Sequence, residues 1–440
     1  MAHAIVEKIR EAGVVGAGGA GLPTHVKTDA KVDTVLVNGA SCEPLLTSDP
    51  YLMDAEVDTM LRGLQAVVEC TGASRGIVCL KGKHKKALES VRAACARTEH
   101  LEAFELKDFY PAGDEQVLVK EVLDRVVPER GLPLNVGCVV SNTETMVNIA
   151  HALEGRPVTH RYLTVAGEIA RPMVVKVPVG TPVTDVLAYA GGPVIRDYVV
   201  VDGGPMMGKV LQAPEKASVT KTTSGLLVLP PDHNVVLRKI MDPKTVRRIS
   251  FSICCQCSRC TDLCPRNLLG HRLHPHKLMQ VFANQELESP VAREALLCSE
   301  CGVCEKYACP MLISPREVNA QIKRVLMQNG VRWDNTGWNP IPSPYREERR
   351  IPTQRLIQRL DLVAYDTHPH YVGEYTPKEV RIPLKQHLGA PATCVVEVGA
   401  RVQAGDLLGE IPEKAMAARV HASIDGVVTS IDNGVVTIRS

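Results

Sequence analysis

The sequence predicts a multidomain protein of mixed α/β class, and three observations support this prediction. The 440 residues are enough for two to four domains with substantial cores. Amphipathic helical segments and apolar strands occupy the N-terminal region, whereas short β runs punctuated by glycine occupy the C-terminal end. Between these regions, nine of the fifteen cysteines fall within positions 254–309.

Charge and hydropathy exclude several classes of protein. The formal net charge is +2 and there is no long basic run, so nucleic acid is not expected as the main partner. No stretch approaches eighteen consecutive apolar residues, and the N-terminus lacks the apolar region of a signal peptide. We therefore expect a cytoplasmic protein without a transmembrane segment, in which so many cysteines indicate metal binding.

The first motif is the glycine-rich segment "GVVGAGGAGLPTHVK", which begins at Gly13 and matches G-x-G-x-x-G at positions 16, 18 and 21. An ordinary Rossmann fingerprint follows a strand and precedes a helix. Here an amphipathic helix over Ala4–Glu11 comes before it, Pro23 comes after it, and the first clear strand is Val32–Asn38. The context argues against a Rossmann site and leaves a flexible turn or a phosphate-binding loop.

The cysteine-rich segment contains two runs with regular spacing. They read Cys254-x2-Cys257-x2-Cys260-x3-Cys264-Pro265 and Cys298-x2-Cys301-x2-Cys304-x4-Cys309-Pro310. The first has the spacing of a bacterial ferredoxin, and the second has one extra residue before its last cysteine. Three thiolates so spaced bind three corners of a [4Fe–4S] cluster, and in two-cluster ferredoxins the fourth ligates the other cluster.

This spacing predicts two [4Fe–4S] clusters that exchange their fourth ligands. One cluster is assigned to Cys254, Cys257, Cys260 and Cys309, and the other to Cys298, Cys301, Cys304 and Cys264. Two zinc sites are the alternative, although zinc ribbons favour separated C-x2-C pairs over triplets. Cys255 is interpreted as an unliganded neighbour. The other six cysteines are expected to be small buried hydrophobes: Cys42, Cys70, Cys79, Cys95, Cys138 and Cys394.

Three histidines, His271, His274 and His276, lie between the two runs among apolar residues of helical spacing. This pattern predicts a helical linker packed over the clusters, with the histidines at its surface or as caps rather than as ligands. After the second run, Ser314 as cap and Pro315 at the first helical position predict a closing helix.

Adjacent clusters carry single electrons, so a two-electron donor would need a flavin as converter.

The N-terminal motifs resemble those of a known superfamily of electron-transfer flavoproteins. The glycine segment resembles the loop "GxGGAGFPT-x-x-K" of the flavin-bearing NADH-dehydrogenase subunit of respiratory complex I, and it is similar to the Rnf complex C subunit. Three further segments follow in the order of the family's motifs: "VLVNGASCEPLLTSDPYLM", "FYPAGDEQVLVKEV" and "SNTETMVNIAHAL". Four motifs in order over roughly 140 residues are more specific than the glycines alone.

The resemblance implies an α/β domain that binds FMN, with NADH stacking over the flavin ring. It implies a loop of Gly16, Gly18, Gly19 and Gly21, with Lys27 near phosphate or nicotinamide. It also implies Asn38 and Glu43 at the flavin edge, and Tyr110, Gly113 and Glu115 beside the nucleotide. Asn142 and Thr145 would hold the FMN phosphate near a helix N-terminus, where backbone amides favour an anion.

The sequence also departs from the complex I pattern. Ala17 and Leu22 replace an arginine and a phenylalanine of the loop, and the acidic cluster after the strand is reduced to Cys42-Glu43. The resemblance therefore supports flavin binding more strongly than NADH use. The alternative interpretation is that these glycines and polar residues are turns and caps of an ordinary α/β core.

The remaining segments resemble further modules of the same families. Residues Arg161–Gly192, with a short predicted helix over Val183–Ala190, resemble the β-grasp module named SLBB, and residues 331–352 are predicted as an extended linker. The C-terminal β runs resemble the barrel-sandwich hybrid module of the Rnf complex, where it stands at the N-terminus of its chain. This domain order, with "CPRNLLGHRLHPHKLM" after the first cysteine run, resembles the cobalamin reductases of propanediol-utilisation microcompartments.

The resulting prediction is a flavin and iron–sulfur oxidoreductase in five segments. They are an FMN and NADH domain over 1–155, an SLBB module over 156–235, a two-cluster domain over 240–330, a linker over 331–375 and a barrel-sandwich hybrid over 376–440. The resemblance implies electron transfer from NADH to a corrinoid, an adenosyltransferase partner, and encapsulation with shell proteins. Other acceptors (ferredoxin, a quinone partner or an amino-acid reductase) and a non-catalytic electron-relay adaptor are the alternatives.

Overall fold

The computed structural model describes residues 2–335 and 337–440, so Met1 and Thr336 of the predicted first module and linker lie outside the described residues. The N-terminal module contains a parallel sheet in the order β3-β2-β1-β5. Its elements are α1 (Ala2–Glu11), α2 (Thr24–Thr28), β1 (Thr34–Gly39), α3 (Ser48–Ala55), α4 (Val57–Thr71), β2 (Arg75–Lys81), α5 (Lys85–Cys95), β3 (Leu101–Leu106), β4 (Phe109–Tyr110), α6 (Glu115–Leu123), β5 (Cys138–Asn142) and α7 (Thr143–Leu153).

Alternation along the strands gives this sheet an apolar layer on both faces. In β1, Val35 and Val37 pack into the core formed with α4 and α7, whereas Leu36 packs into the core on the side of α6. This is the pattern of a doubly covered parallel sheet. The helix α4 crosses α7 so closely that a Cβ added at Gly63 would lie 1.9 Å from the Met146 carbonyl oxygen.

The predicted first helix and strand are present, and the strand is shifted by two residues. It begins at Thr34 rather than at Val32, because the Val32 and Asp33 amides bond to carbonyls outside the ladder, those of Thr71 and Gly137. The helix α1 precedes the glycine segment, and the Val15 and Pro23 backbones form a bridge around it. The segment is thus a closed loop that comes before the first strand, which confirms that it is not an ordinary Rossmann turn.

The second module is a β-grasp-like sheet in the order β12-β7-β6-β10-β8-β9, in which β12 (Tyr371–Glu374) is contributed from far along the chain. Its elements are β6 (His160–Gly167), β7 (Met173–Pro178), α8 (Val183–Tyr189), β8 (Val199–Asp202), β9 (Lys209–Val210) and β10 (Gly225–Leu229). The predicted helix at Val183 is confirmed, and its apolar side packs into the core of this sheet.

The cysteine-rich module is helical. It contains α9 (Asn234–Ile240), α10 (Pro243–Ile253), α11 (Arg259–Asp262), α12 (Pro265–Leu268), α13 (Pro275–Asn284) and α14 (Pro315–Gln328), together with two short irregular helices over Pro290–Leu297 and Cys304–Ala308. The predicted linker and closing helices are α13 and α14. Ser314 stands at the predicted cap position, but its hydroxyl makes no hydrogen bond among the described residues.

Residues 331–335 and 337–374 belong to a strap that returns across the molecule. Two tryptophans fix its start, because Trp333 Nε1 donates to Glu129 Oε2 at 3.0 Å and the Arg272 guanidinium lies about 5 Å from both the Trp333 and Trp338 rings. Its elements are β11 (Ile351–Pro352), α15 (Thr353–Arg359) and β12 (Tyr371–Glu374). The first strand pairs with β4 and the last joins the β-grasp sheet, so the strap connects three modules.

The C-terminal module packs two small antiparallel sheets face to face around an apolar core. Its strands are β13 (Glu379–Pro383), β14 (Thr393–Cys394), β15 (Arg401–Val402), β16 (Leu407–Glu410), β17 (Val420–His421), β18 (Gly426–Asp432) and β19 (Val435–Arg439). Among the described residues of the whole chain, no helix is both long enough and apolar enough to cross a membrane.

Candidate flavin and iron–sulfur sites

The first candidate site lies where the order of the parallel strands reverses. The chain adds β2 and β3 on one side of β1 and then returns to place β5 on the other side. Ligands of open α/β sheets bind outside the carboxyl ends of the strands at such a reversal. Asn38 is the penultimate residue of β1 and Asn142 ends β5, and the two are direct partners in the strand register. Two amide side chains of the predicted set therefore meet at this point.

The glycine loop covers this reversal. The Gly16 amide bonds to the Leu22 carbonyl at 2.9 Å, which closes the loop, and the Ala17 amide donates to Thr145 Oγ1 at 2.9 Å, which anchors the loop to α7. A Cβ at Gly18 would lie 3.0 Å from Asn142 Nδ2, so glycine allows this close approach. Gly19 has φ +65° with open space beside it, a position where only glycine is free of strain.

Two further predicted residues line the same region. Lys27 Nζ donates to Glu115 Oε1 at 2.9 Å and to the Val140 carbonyl at 3.1 Å, so the lysine crosses from α2 to β5 and α6. Asn38 Nδ2 donates to the Gly113 carbonyl at 2.8 Å. The loop, the two strand ends and the turn before α6 thus form one connected polar region.

The residues at this reversal fit an FMN phosphate. The helix α7 begins at Thr143, directly after Asn142, so its N-terminal amides face the loop. The Thr143 side chain is fully buried and its hydroxyl has no hydrogen-bond partner within the described residues. The Thr143 hydroxyl and the N-terminal amides of α7 are therefore hydrogen-bond donors that could bind an anion, and the glycine loop leaves open space at Gly19.

Glu43 and Tyr110, two other residues of the predicted set, turn toward neighbouring modules. The Glu43 carboxylate accepts from the Met206 and Met207 amides, each at 2.8 Å, so it binds the β-grasp module. The Tyr110 hydroxyl donates to the Cys301 carbonyl oxygen at 2.7 Å. Burial raises the pKa of Tyr110, which keeps the phenol protonated as a donor.

Three residues that the sequence did not single out hold the glycine loop from outside. Arg161 of the β-grasp module donates to the Ala17 carbonyl and pairs with buried Glu144 of α7. Lys221 Nζ donates to the Gly13 carbonyl at 2.7 Å and to the carbonyl of Arg419 in the C-terminal module at 2.7 Å. The sequence signal that could have indicated this clamp is Glu144, a charged residue inside the motif "NTET", because a buried carboxylate needs a cationic partner.

Burial governs the protonation of these clamping groups. Lys221 is 3 % exposed, bonds to carbonyls rather than to a carboxylate, and burial lowers its pKa to about 7. Glu144 is 2 % exposed, and burial raises its pKa while the Arg161 guanidinium opposes that shift. Asp49 lies near this pair, and burial raises its pKa to about 6. The loop is thus anchored by charged groups that have lost their hydration.

The C-terminal module contacts the loop directly. The Leu388 amide donates to the Ala20 carbonyl at 2.8 Å, and a Cβ at Gly21 would lie 3.3 Å from the His387 Cα atom. A module at the far end of the sequence therefore completes the enclosure of a loop at the beginning.

The cysteines predicted for the first cluster surround one cavity. Its volume is about 330 Å³, and the cysteines that line it are Cys254, Cys255, Cys257, Cys260 and Cys309. Cys257 is exposed, so this cavity lies at the surface. Cys255 is also exposed and lies beside the predicted quartet.

The cysteines predicted for the second cluster surround a separate cavity of about 280 Å³. It is lined by Cys264, Cys298, Cys301 and Cys304, all of which are buried. The cations Arg266 and Arg316 line the same cavity. Cys264 thus lines the cavity of the second run, and Cys309 lines the cavity of the first run.

Both cysteine runs adopt the same unusual backbone. Gln256 and Ser258 flank Cys257 with φ +54° and +60°, and Glu300 and Gly302 flank Cys301 with φ +60° and +79°. Left-handed backbone at non-glycine residues costs roughly 1–2 kcal/mol each and persists where a site demands it. Alternating right- and left-handed residues turn backbone amides inward into anion-binding concavities. A chain that wraps an anionic cluster needs this conformation.

The cysteine sulfurs also accept hydrogen bonds. The Glu300 amide donates to Cys298 Sγ at 3.3 Å, Asn319 Nδ2 donates to the same sulfur at 3.7 Å, and Gln256 Nε2 donates to Cys254 Sγ at 3.2 Å. Burial raises the thiol pKa of Cys264 to about 12. The thiolate would therefore require a bound cation such as cluster iron, and these donors suit thiolates bound to iron.

The extra residue in the second run is absorbed by a π-helical turn over Cys304–Ala308. A π turn accommodates one more residue than an α turn and occurs preferentially at functional sites. This turn carries Cys309 to the first cavity while Cys304 remains in the second.

Each of the three histidines between the runs forms a polar contact within the protein, and His271 is buried at 2 % exposure rather than at the surface as predicted. His271 Nε2 bonds to the Val127 carbonyl at 2.9 Å, His274 Nδ1 pairs with Glu294, and His276 Nδ1 bonds to Thr261 Oγ1 at 2.7 Å. Their ring nitrogens support helix packing.

The second cavity adjoins the flavin module. Asp114, which caps α6, pairs with Arg266 at 2.6 Å, and both side chains are about nine-tenths buried. Together with the bond between Tyr110 and the Cys301 carbonyl, this ion pair joins the turn beside Gly113 to residues that line the second cavity. Lys306 Nζ and Arg316 Nε lie 3.5 and 3.7 Å from the two carboxylate oxygens of buried Glu305, as ion pairs.

Family models match four successive parts of the chain. They are the Nuo51 FMN-binding domain over residues 9–151, the SLBB domain over 162–210, a 4Fe-4S dicluster domain over 253–314 and the RnfC barrel sandwich hybrid domain over 368–440. These matches confirm the predicted fold class and the presence of FMN-binding and [4Fe–4S] modules.

Curated relatives span the same modules. The chain is 42 % identical over 440 residues to the cobalamin reductase PduS of Salmonella typhimurium, which covers 99 % of this chain and 96 % of that protein. A component of the Na(+)-translocating ferredoxin:NAD(+) oxidoreductase complex of Acetobacterium woodii is 36 % identical over 273 residues, 61 % of this chain and 59 % of that component. The air-oxidized NAD+-reducing [NiFe]-hydrogenase shares the fold, with TM-score 0.51 and 20 % identity over 82 % of this chain and 67 % of that one.

Proposed function

This chain belongs to the family of the cobalamin reductase PduS, and we propose that it passes electrons from NADH, through FMN and two [4Fe–4S] clusters, to the cobalt of a corrinoid. The chain is an oxidoreductase with FMN-binding and iron–sulfur modules. When bound, the flavin exchanges two electrons with a hydride donor and single electrons with iron–sulfur clusters.

The observation that carries this proposal is the contact between the flavin module and the second cysteine quartet. The Tyr110 hydroxyl bonds to the carbonyl of Cys301, and Asp114 pairs with Arg266, which lines the second cavity. These buried contacts hold the turn beside Gly113 against residues of the second cavity. A short fixed separation is what electron transfer between two centres in one protein requires.

The two quartets would act in series. We assign Cys264, Cys298, Cys301 and Cys304 to the cluster nearer the flavin, and Cys254, Cys257, Cys260 and Cys309 to the cluster nearer the surface. The inner quartet is buried among the cations Arg266 and Arg316, whereas Cys257 of the outer quartet is exposed. Electrons would therefore enter at the inner quartet and leave at the outer one.

The glycine loop would hold the flavin. Asn142, Thr145 and the N-terminus of α7 would bind the phosphate, and the loop amides around Gly18 and Gly19 would approach the nucleotide. Arg161 and Lys221 would keep the loop in place. Lys27, Asn38, Gly113 and Glu115 would contact the flavin or the nicotinamide.

The proposed partner is a corrinoid adenosyltransferase, which would alkylate the reduced cobalt. The proposed location is the lumen of a bacterial microcompartment, in contact with shell proteins. Both proposals rest on the family membership of the chain.

A cofactor and activity measurement tests the proposal. Purified holoprotein should show flavin absorbance and about eight irons per chain, NADH should bleach the flavin, and cob(III)alamin should be reduced at steady state. A reconstituted protein with two zinc ions and no flavin would contradict it.

Two alternatives make different predictions in the same assay. If the acceptor is ferredoxin, a quinone partner or an amino-acid reductase, one of these will be reduced faster than cob(III)alamin. If the chain is an electron-relay adaptor, a partner protein will reduce its clusters and NADH will not. The side chain of Ala17 is 4 % exposed, so the loop presents no cation where complex I has an arginine, and this motivates the adaptor alternative.

A further inference from the structure

We infer that an exposed basic and apolar collar around the outer cysteine cavity is the docking surface for an acidic face of the protein that holds the corrinoid. The collar consists of Arg247, Arg248, Phe251, Ile253, Met311 and Leu312. This inference rests on the proposed function, because the outer quartet is taken as the electron exit.

The apolar part of the collar is unusually exposed for side chains of its size. Phe251 is 70 % exposed, Ile253 41 %, Met311 43 % and Leu312 50 %. Met311 lines the outer cavity, and Ile253 and Leu312 are the chain neighbours of lining residues Cys254 and Ile313. Ile253, Met311 and Leu312 therefore border the cavity from two segments, the end of α10 and the turn after Cys309, and Phe251 lies in the last turn of the same helix. Clustered exposed apolar groups mark interaction sites.

The backbone at Leu312 indicates that this exposure is imposed by the fold. Leu312 has φ +55°, a left-handed conformation that a leucine rarely adopts and that costs roughly 1–2 kcal/mol. Retained strain at an exposed leucine next to a redox cavity is typical of a functional surface.

The chain segment that carries the arginines of the collar is basic. Residues 243–261 contain Lys244, Arg247, Arg248 and Arg259 and no aspartate or glutamate. Arg247 and Arg248 are exposed, and in the part of the chain that the structure describes neither has a carboxylate within ion-pair distance. The acidic residues at the two edges are engaged, since Asp242 caps α10 and Asp262 pairs with Arg349 at 3.7 Å. Unpaired arginines beside apolar side chains are typical of protein interfaces.

The occupant is therefore a protein with a carboxylate-rich face. A free corrinoid could contact the outer cavity alone, whereas the collar extends over both segments that border it. Complementary charge would increase the rate of encounter, and Phe251 and Leu312 would supply apolar contact at short range. This arrangement brings the acceptor close to Cys257, the exposed cysteine of the outer quartet.

The test measures binding of a purified corrinoid adenosyltransferase, loaded with cob(III)alamin, to the full-length holoprotein by calorimetry. R247E/R248E should weaken binding about tenfold or more at about 50 mM salt, and F251S should weaken it about fivefold. Raising the salt to about 300 mM should weaken wild-type binding more than binding of R247E/R248E.

Matched controls lie on the β-grasp module. R196E/K216E makes the same change in charge at two exposed residues, and V194S removes an apolar side chain that is 59 % exposed. Both should bind within about twofold of wild type, because exposed sites outside an interface contribute little. Iron and flavin content of every variant should match wild type, since the collar side chains are exposed.

Three results would overturn the inference. The first is that the wild type does not bind at low salt, and the second is that the control variants lose as much binding as the collar variants. The third is self-association of the wild type that R247E/R248E abolishes, because the collar would then be a contact between copies of this chain. Reduction of free cob(III)alamin by NADH is measured in parallel. If wild type and R247E/R248E both reduce it, the proposed function stands whatever the binding result, and if neither reduces it, the proposed function fails independently.

Discussion

Replacing Arg161 with methionine should release the glycine loop while leaving the flavin-contacting residues intact. The guanidinium donates to the Ala17 carbonyl, to the Thr223 carbonyl at 2.6 Å and to the Glu144 carboxylate. Methionine keeps the apolar stem and removes these three bonds. The Glu144 carboxylate, 2 % exposed, would then be buried without its cation.

The expected cost follows from that burial. Breaking a buried ion pair by removing one partner costs about 3–5 kcal/mol, because the remaining charge is uncompensated. In a cooperative unit of 150–250 residues, each kcal/mol lowers the melting temperature by about 2–4 °C, so R161M should lower it by about 6–20 °C. Thermal unfolding followed by circular dichroism, together with the amount of FMN retained after gel filtration, measures both effects.

Two further variants separate the buried charge from other effects. R161M/E144M removes both charges and should recover the part of the loss that comes from the uncompensated carboxylate, while the Ala17 and Thr223 carbonyls and the Tyr162 amide remain without partners at about 1 kcal/mol each. R62M breaks an exposed pair with Glu154 of similar length, 2.7 Å, and should cost at most about 1 kcal/mol. If R161M melts like R62M, or if the double variant is less stable than R161M, the reasoning is refuted.

Three other predictions follow from the same contacts. Lys221 has a pKa of about 7 in the folded state and 10.5 in the unfolded state. Between these pH values the unfolded state binds more protons than the folded state. The free energy of unfolding should therefore rise with pH, by up to about 1.4 kcal/mol per pH unit. K221M should lose this slope in melting curves from pH 7 to 10, and a slope unchanged in K221M would contradict the assignment. Iron analysis of C257S should give about four irons per chain and that of C255S about eight, whereas equal loss in both would place Cys255 among the ligands. Y110F removes the hydrogen bond to the Cys301 carbonyl and should slow the bleaching of the clusters by NADH without changing the flavin content. Stopped-flow absorbance measures this rate. If Y110F bleaches at the wild-type rate, Tyr110 is not part of the electron path.

Local features of the structure could be predicted because they depend on neighbouring residues. The helix before the glycine segment and the proline after it argued against a Rossmann turn, and the loop is indeed closed before the first strand. The helix at Val183 was also predictable, because apolar spacing determines it, whereas the burial of His271 against the distant Val127 carbonyl was not. The strand start was wrong by two residues, because carbonyls distant in sequence take the amides of Val32 and Asp33.

Contacts between modules could not be predicted in this way. The side chain of Arg161 reaches a glycine loop 144 residues earlier in the chain, and Lys221 joins backbone carbonyls of two other modules. Glu43 and Tyr110 were expected at the flavin but bind the β-grasp module and the Cys301 carbonyl. Spacing within a motif carries no information on which module packs against it, since that depends on the shapes of two folded surfaces.

The sequence by itself determined the chemistry of the protein. The spacing of eight cysteines predicts two quartets, because a thiolate run of fixed length can reach only certain corners of a cluster. Only the tertiary structure decided which quartet faces the flavin module and which faces solvent, and that the C-terminal module encloses the N-terminal loop. Those relations are set by burial and by hydrogen bonds between residues hundreds of positions apart, which form only once the modules have folded and docked.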